Sequence, residues 1–207
     1  MSIHRIAIVA GAVMSASAAA SASITNPDFE FGNSGFDSSY TYTAIDCWPE
    51  TTYSVVTSPS AVHGLWYSFG DHTTGSGNMM VVNGNTSGNV TVWEQTVNVV
   101  PGSLYEFAGW FANVYHQAPS SLSLMADGVS ILDFTVDPDV GEWNRFAGFF
   151  NAGAATSIVL SIVDSNFEHT GNDFAIDDLS LAQVPAPGAV ALAGLGMMMN
   201  IRRRRTV

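Results

Sequence analysis

The chain has 207 residues, with 18 Asp or Glu against 6 Lys or Arg, a formal net charge of −12 and a single cysteine, Cys47. So acidic a surface repels nucleic-acid phosphates and anionic headgroups, which excludes direct nucleic-acid binding as a role. One cysteine excludes an internal disulfide, so stability falls to packing and, where carboxylates cluster, to a bound cation.

The chain opens with Met1, Ser2, Ile3, His4 and Arg5, followed by an apolar and small-residue run from Ile6 to Met14. This charged-then-apolar order is that of a secretory signal peptide, and Ala20-Ser21-Ala22 supplies the small side chains a signal peptidase accepts. Residues 1–22 are therefore expected to be removed, with cleavage before Ser23; Ala18-Ala19-Ala20 offers a second cleavage position.

Residues 23–183 read as one all-β domain, long enough for one core. All 18 acidic residues fall between Asp28 and Asp178, where Arg145 is the single Lys or Arg, so that interval carries a formal −17. Short strands are expected at residues 41–45, 52–56, 63–69 and 78–83 from their β-branched and aromatic content. Residues 89–100 form the next strand and stop at Pro101-Gly102, a turn signal, and 104–115 follow as its neighbour. Ser121 to Leu124 alternates and leads into the tight Asp127-Gly128 pair before a strand over 129–136. Further strands are expected at 142–151, 156–163 and 173–181, the last with Phe174, Ile176 and Asp178 on one side. About ten short strands with such turns mean a two-sheet β-sandwich of jelly-roll type.

Residues 184–207 form a second non-domain segment. Val184-Pro185-Ala186-Pro187 is followed by the apolar run Ala189 to Met199 and by Arg202 to Arg205. Two prolines end any strand, and the apolar run, extended by Asn200 and Ile201 with snorkelling arginines, is expected to act as a transmembrane segment held by its arginines on the cytoplasmic side. The order resembles the PEP-CTERM sorting signal of Gram-negative bacteria. That resemblance implies recognition by a membrane processing enzyme, an exosortase, in cells that make exopolysaccharide. The acidic residue usual between the two prolines is Ala186 here.

The opening Asn26-Pro27-Asp28-Phe29-Glu30-Phe31-Gly32-Asn33 and the closing Asn172-Asp173-Phe174-Ala175-Ile176-Asp177-Asp178-Leu179 together resemble the galactose-binding-like jelly rolls, which include several carbohydrate-binding modules. The resemblance implies that the first and last strands lie side by side. It further implies a calcium (Ca2+) site in which Glu30 and Asp177 share a cation with backbone carbonyls, Asp178 being the alternative to Asp177. Calcium takes six to eight hard oxygens, which carboxylates and carbonyls supply.

Large rings placed near loops are the natural seats for a sugar, and Trp66, Tyr67 and Tyr115 are the candidates; Trp93 and Trp110, centred in strands, are expected to pack. His63, His72 and His116 lack the spacing of a zinc site, and Ser68-Phe69-Gly70 does not make a nucleophile elbow. The expected role is thus non-catalytic: an exported, cell-envelope or secreted protein that binds a polysaccharide or glycan. A structural or adhesive protein that contacts another protein is the alternative, and a glycoside hydrolase using a carboxylate pair stands third.

Overall fold

The computed structural model describes residues 23–185, so the signal-peptide reading and the sorting tail from Ala186 onward lie outside the described residues. The transmembrane expectation is corrected: among the described residues no helix is long and apolar enough to cross a membrane.

Among the described residues, ten strands form two sheets: β1 (Thr41–Tyr42), β2 (Thr52–Val56), β3 (Met79–Asn83), β4 (Val90–Asn98), β5 (Leu104–Asn113), β6 (Ser121–Ala126), β7 (Val129–Thr135), β8 (Asn144–Asn151), β9 (Ser157–Asp164) and β10 (Phe174–Val184). The six-stranded sheet runs β1-β2-β3-β10-β5-β8 and the four-stranded sheet β4-β9-β6-β7. The result is the expected jelly-roll sandwich. Alternation decides which side chains face the partner sheet. Met80 and Val82 of β3, Phe107 and Phe111 of β5, and Phe174 and Ile176 of β10 meet Trp93, Leu122, Leu124, Leu160 and Ile162 from the smaller sheet in one buried core. Removing each such side chain from water stabilises the fold by about 1.5–3 kcal/mol. At the β6–β7 turn, Asp127 and Gly128 both take positive φ, 47° and 73°, the geometry that sets the hairpin.

A second, smaller apolar cluster sits on the opposite face of the six-stranded sheet. Met79 and Val81 of β3, Ala175 of β10 and Val114 beyond β5 project outward there and are covered by Cys47, Val62 and Trp66. Residues 63–69, expected as a strand, belong instead to the long β2–β3 connection, after a short 3-10 turn at Pro59–Ala61. Pro59 cannot join a ladder, and Trp66 N–H turns back to the His63 carbonyl at 3.1 Å, so the apolar side chains here serve as a cover.

The opening segment is also a turn rather than a strand. Asn26 and Phe29 take φ of 53° and 55°. The Asn26 side chain closes the turn, donating to the carbonyls of Gly32 and Ser34 at 2.9 and 2.8 Å and accepting from Phe31 N–H at 2.9 Å. Phe29 is thereby plugged into the core, edge-on to Phe36 at 5.6 Å. The segment does lie against the last strand: Leu179 N–H donates to the Pro27 carbonyl at 2.9 Å.

The inward face expected for Phe174, Ile176 and Asp178 is interrupted. β10 pairs with β5 in register up to Asp177↔Trp110, then shifts through a bulge and resumes at Ser180↔Ala108. Asp178 takes φ of 46° in that bulge, so Leu179 rather than Asp178 returns to the core.

Candidate functional site

The β2–β3 connection organises two neighbouring regions on the outer face of the larger sheet. The first is a knot of carboxylates around residues 71–78. Asp177 is fully buried. Its Oδ2 accepts from His72 N–H at 2.8 Å, Thr73 N–H at 3.1 Å and Thr73 Oγ1 at 3.2 Å. Its Oδ1 accepts from Asp178 N–H at 2.8 Å. Burial, with the charge of Asp178 adding to it, pushes Asp177 up to about 6 even though these donors pull the other way. Asp178 is partly exposed, lies 2.6 Å from His72 Nδ1 and accepts from Thr73 Oγ1 at 2.8 Å. The His72 ring in turn stacks on Trp110 at 3.8 Å.

Glu30 reaches the other end of the same loop, its Oε1 accepting from Asn78 N–H at 2.7 Å. Asp71, buried between them, accepts from Thr74 N–H at 2.8 Å and Gly77 N–H at 2.7 Å. A side chain at Gly77 would collide with Glu30 Oε1 and come within 3.0 Å of Asp71 Oδ2, so glycine is what lets both carboxylates approach one point. Glu30 and Asp177 are therefore held by one loop. Asp71, which the sequence reading passed over, joins them. No group of three or more metal-ligating side chains converges on one point among the described residues. A hard-cation shell here would draw on Glu30 and Asp71 with backbone carbonyls, although Asp71, like Asp177, already accepts loop N–H groups through both oxygens.

The second region is a cavity of about 220 Å³ lined chiefly by Trp48, Glu50, His63, Trp66, Tyr115 and Asp173. Three rings stand in a row: His63 packs between Trp48 and Trp66, with centroids at 3.9 and 4.5 Å. Trp66 is buried, whereas Trp48 is 53 % exposed and offers the open ring of the row. Trp66 Nε1 donates to Asp173 Oδ2 at 3.1 Å, and Gly84 N–H donates to Asp173 Oδ1 at 3.2 Å. Burial pushes Asp173 up to about 7 against these two donors, and the nearby Glu50 and Asp164 carboxylates add to the rise. Glu50 is itself raised by burial, opposed by the exposed His169, whose Nδ1 lies 3.2 Å from Glu50 Oε1. Burial lowers His63, with the Asp46 carboxylate opposing.

Of the rings singled out from sequence, Trp66 and Tyr115 line this cavity, Trp66 as its floor. Tyr67 does not line it: its ring is exposed, edge-on to His116 at 6.2 Å, and its N–H donates to the Val114 carbonyl at 3.1 Å. Trp93 is core, as expected, and Trp110 lies under His72. Trp48, Glu50 and Asp173 were not picked out as binding residues. The signal for Trp48 is its setting, Cys47-Trp48-Pro49-Glu50, where a proline and no alternation leave a large ring outside any strand.

No family model matches the chain, and no curated protein matches it. Among solved structures, it is similar to the CBM22-1 xylan-binding domain of Xyn10C from Paenibacillus barcinonensis, at 16 % identity over 82 % of this chain and 99 % of that one, with a TM-score of 0.53. A cyclase from Fischerella sp. TAU, in complex with 4-(1H-indol-3-yl)butan-2-one, is similar at 15 % identity over 81 % of this chain and 99 % of that one, with a TM-score of 0.56. An arabinose-bound α-L-arabinofuranosidase, MgGH51, gives 11 % identity over 79 % of this chain and 26 % of that one, with a TM-score of 0.51. A binding module and two enzymes thus share one sandwich, so these likenesses establish the jelly-roll fold and leave function to the site.

Proposed function

We propose that the chain is an exported, non-catalytic glycan-binding protein of the cell envelope or exopolysaccharide matrix, with the Trp48–His63–Trp66 cavity as its sugar site. The observation that carries this reading is an exposed tryptophan ring, braced from behind by two stacked rings, at the mouth of a cavity that also presents Asn83, Glu50 and Asp173. A flat ring takes the apolar face of a pyranose while amide and carboxylate oxygens receive its hydroxyls. Tyr115 adds a further ring to the lining. The xylan-binding domain among the similar structures supports a sugar ligand by analogy of fold.

In this reading Glu30, with Asp71 and loop carbonyls, holds a calcium ion, and Asp177 and Asp178 pin the loop that presents them. The ion would supply charge neutralisation and loop rigidity and no chemistry. The C-terminal segment is read as a sorting signal for an exosortase-like processing enzyme.

The test is affinity electrophoresis of the full chain through gels containing soluble xylan, galactan, glucan or a bacterial exopolysaccharide. Retardation by at least one polysaccharide, lost in Trp48→Ala, is expected. Unretarded migration in every gel by protein with a cooperative melt would defeat the reading. Release of reducing ends during prolonged incubation would replace it with a hydrolase.

A further inference from the structure

We infer that the cavity selects a glycan bearing free, protonated amino groups, such as a chain of de-N-acetylated glucosamine units, over neutral or uronic-acid glycans. This rests on the glycan reading above and concerns which sugar the same cavity takes.

The cavity gathers negative charge without compensation. Two carboxylates, Glu50 and Asp173, line the cavity together with the open ring of Trp48. Asp173 is 7 % exposed, and its oxygens meet the neutral donors of Trp66 and Gly84. Arg145 is the one Lys or Arg among the described residues, and its guanidinium is engaged by Glu106 on β5. Among the described residues, the one ion-pair partner that either carboxylate has is His169, an imidazole with 85 % of its side chain exposed. Burying carboxylates without a cation is costly, and here the cost shows as the rise of Asp173 to about 7.

An ammonium group on the ligand would remove that cost. It would sit between carboxylates already partly stripped of water, where charge pairing is strong, and against the negative face of an indole. A carboxylated sugar meets the opposite situation and is repelled by both groups. A neutral sugar gains stacking and hydroxyl hydrogen bonds but no charge pairing. The formal −17 of the interval between Asp28 and Asp178 steers a cationic polymer toward the domain, but by itself selects no particular face of it.

Calorimetric titration of the full chain with four tetrasaccharides tests this: glucosamine, N-acetylglucosamine, xylose and galacturonic acid tetramers. The glucosamine tetramer is expected to bind about tenfold tighter than either neutral tetramer, and the galacturonic acid tetramer not at all. Glu50→Gln should erase most of the glucosamine tetramer's advantage over the neutral tetramers. Glu142→Gln, which removes an exposed charge outside the cavity, should leave the preference intact. Neutral tetramers that bind as well as the glucosamine tetramer would overturn the inference and leave the glycan reading standing. So would a preference that Glu142→Gln reduces as much as Glu50→Gln does, since the attraction would then be to overall charge. Binding of none of the four would remove both.

Discussion

Asp173→Asn isolates the energetic consequence of placing an acid at the floor of the cavity. The carboxyl goes from an ordinary 3.8 to about 7 on folding because burial outweighs its two donors. A rise of roughly three units at ~1.4 kcal/mol per unit makes about 4 kcal/mol. For an acid whose value is raised, the native state holds a proton that the unfolded chain has released. The associated stability is therefore fully present below about pH 4 and is lost as pH climbs through 7. Asparagine does not titrate, and its amide can accept from one of Trp66 Nε1 and Gly84 N–H while facing the other with its own NH2. That mismatch costs about 1–3 kcal/mol at every pH. Urea unfolding of both proteins in chelator, at steps from pH 4 to pH 8, should show the wild-type advantage shrinking by roughly 4 kcal/mol across the range, nearly all of it between pH 4 and 7. A difference that stays flat to within ~1 kcal/mol would mean that Asp173 is not held at a raised value, and the claim of uncompensated charge in the cavity would fall with it.

Trp48→Ala should abolish retardation by polysaccharide while changing stability by no more than about 0.5 kcal/mol, whereas Trp66→Ala, which removes a buried ring, should cost about 3–5 kcal/mol in urea unfolding. If Glu30 and Asp71 hold calcium, one millimolar of the ion should raise the melting temperature above that in chelator, and Glu30→Gln should erase most of the gain; melting curves that coincide with and without calcium would dismiss the ion. Tyr40→Phe strips one donor from the fully buried Asp164, whose Oδ2 also receives Asn85 and Asn172, and is expected to lower stability by about 1–3 kcal/mol with no effect on sugar binding.

The sandwich was legible because strands advertise themselves locally. β4, β5, β7, β8 and β9 fall within a residue or two of their expected limits, since β-branched and aromatic runs end at Pro-Gly, Asp-Gly or polar turns whose backbone demands are local. Residues 63–69 and the Asn26 turn misled for one reason. In each a large ring, Trp66 or Phe29, is buried from a loop, and a side chain covering a sheet face carries the same residue types as one within a strand. The bulge at Asp178 was invisible because nothing in Ile176-Asp177-Asp178-Leu179 shows where alternation will slip; only pairing with β5 decides it.

The carboxylates near the opening turn could be placed from the resemblance of the two chain ends, but the cavity could not, because its parts come from five separate segments, Tyr115 just beyond β5 being one. Trp48 and Glu50 precede β2, His63 and Trp66 sit on the cover, Asn83 ends β3, and Asp173 leads into β10. What joins them is that the cover over residues 59–78 must satisfy its own polar groups while lying on an apolar sheet face. It does so through β10: Trp66 donates to Asp173 near one end of that strand, and His72 and Thr73 donate to Asp177 four residues on. Residues one, three and five of such a strand face the same way, so Asp173, Ala175 and Asp177 present an acid, a small residue and an acid to the cover. The outward face of a single strand thus fastens both regions, and the slip after Asp177 ends that pattern where the cover turns away toward β3.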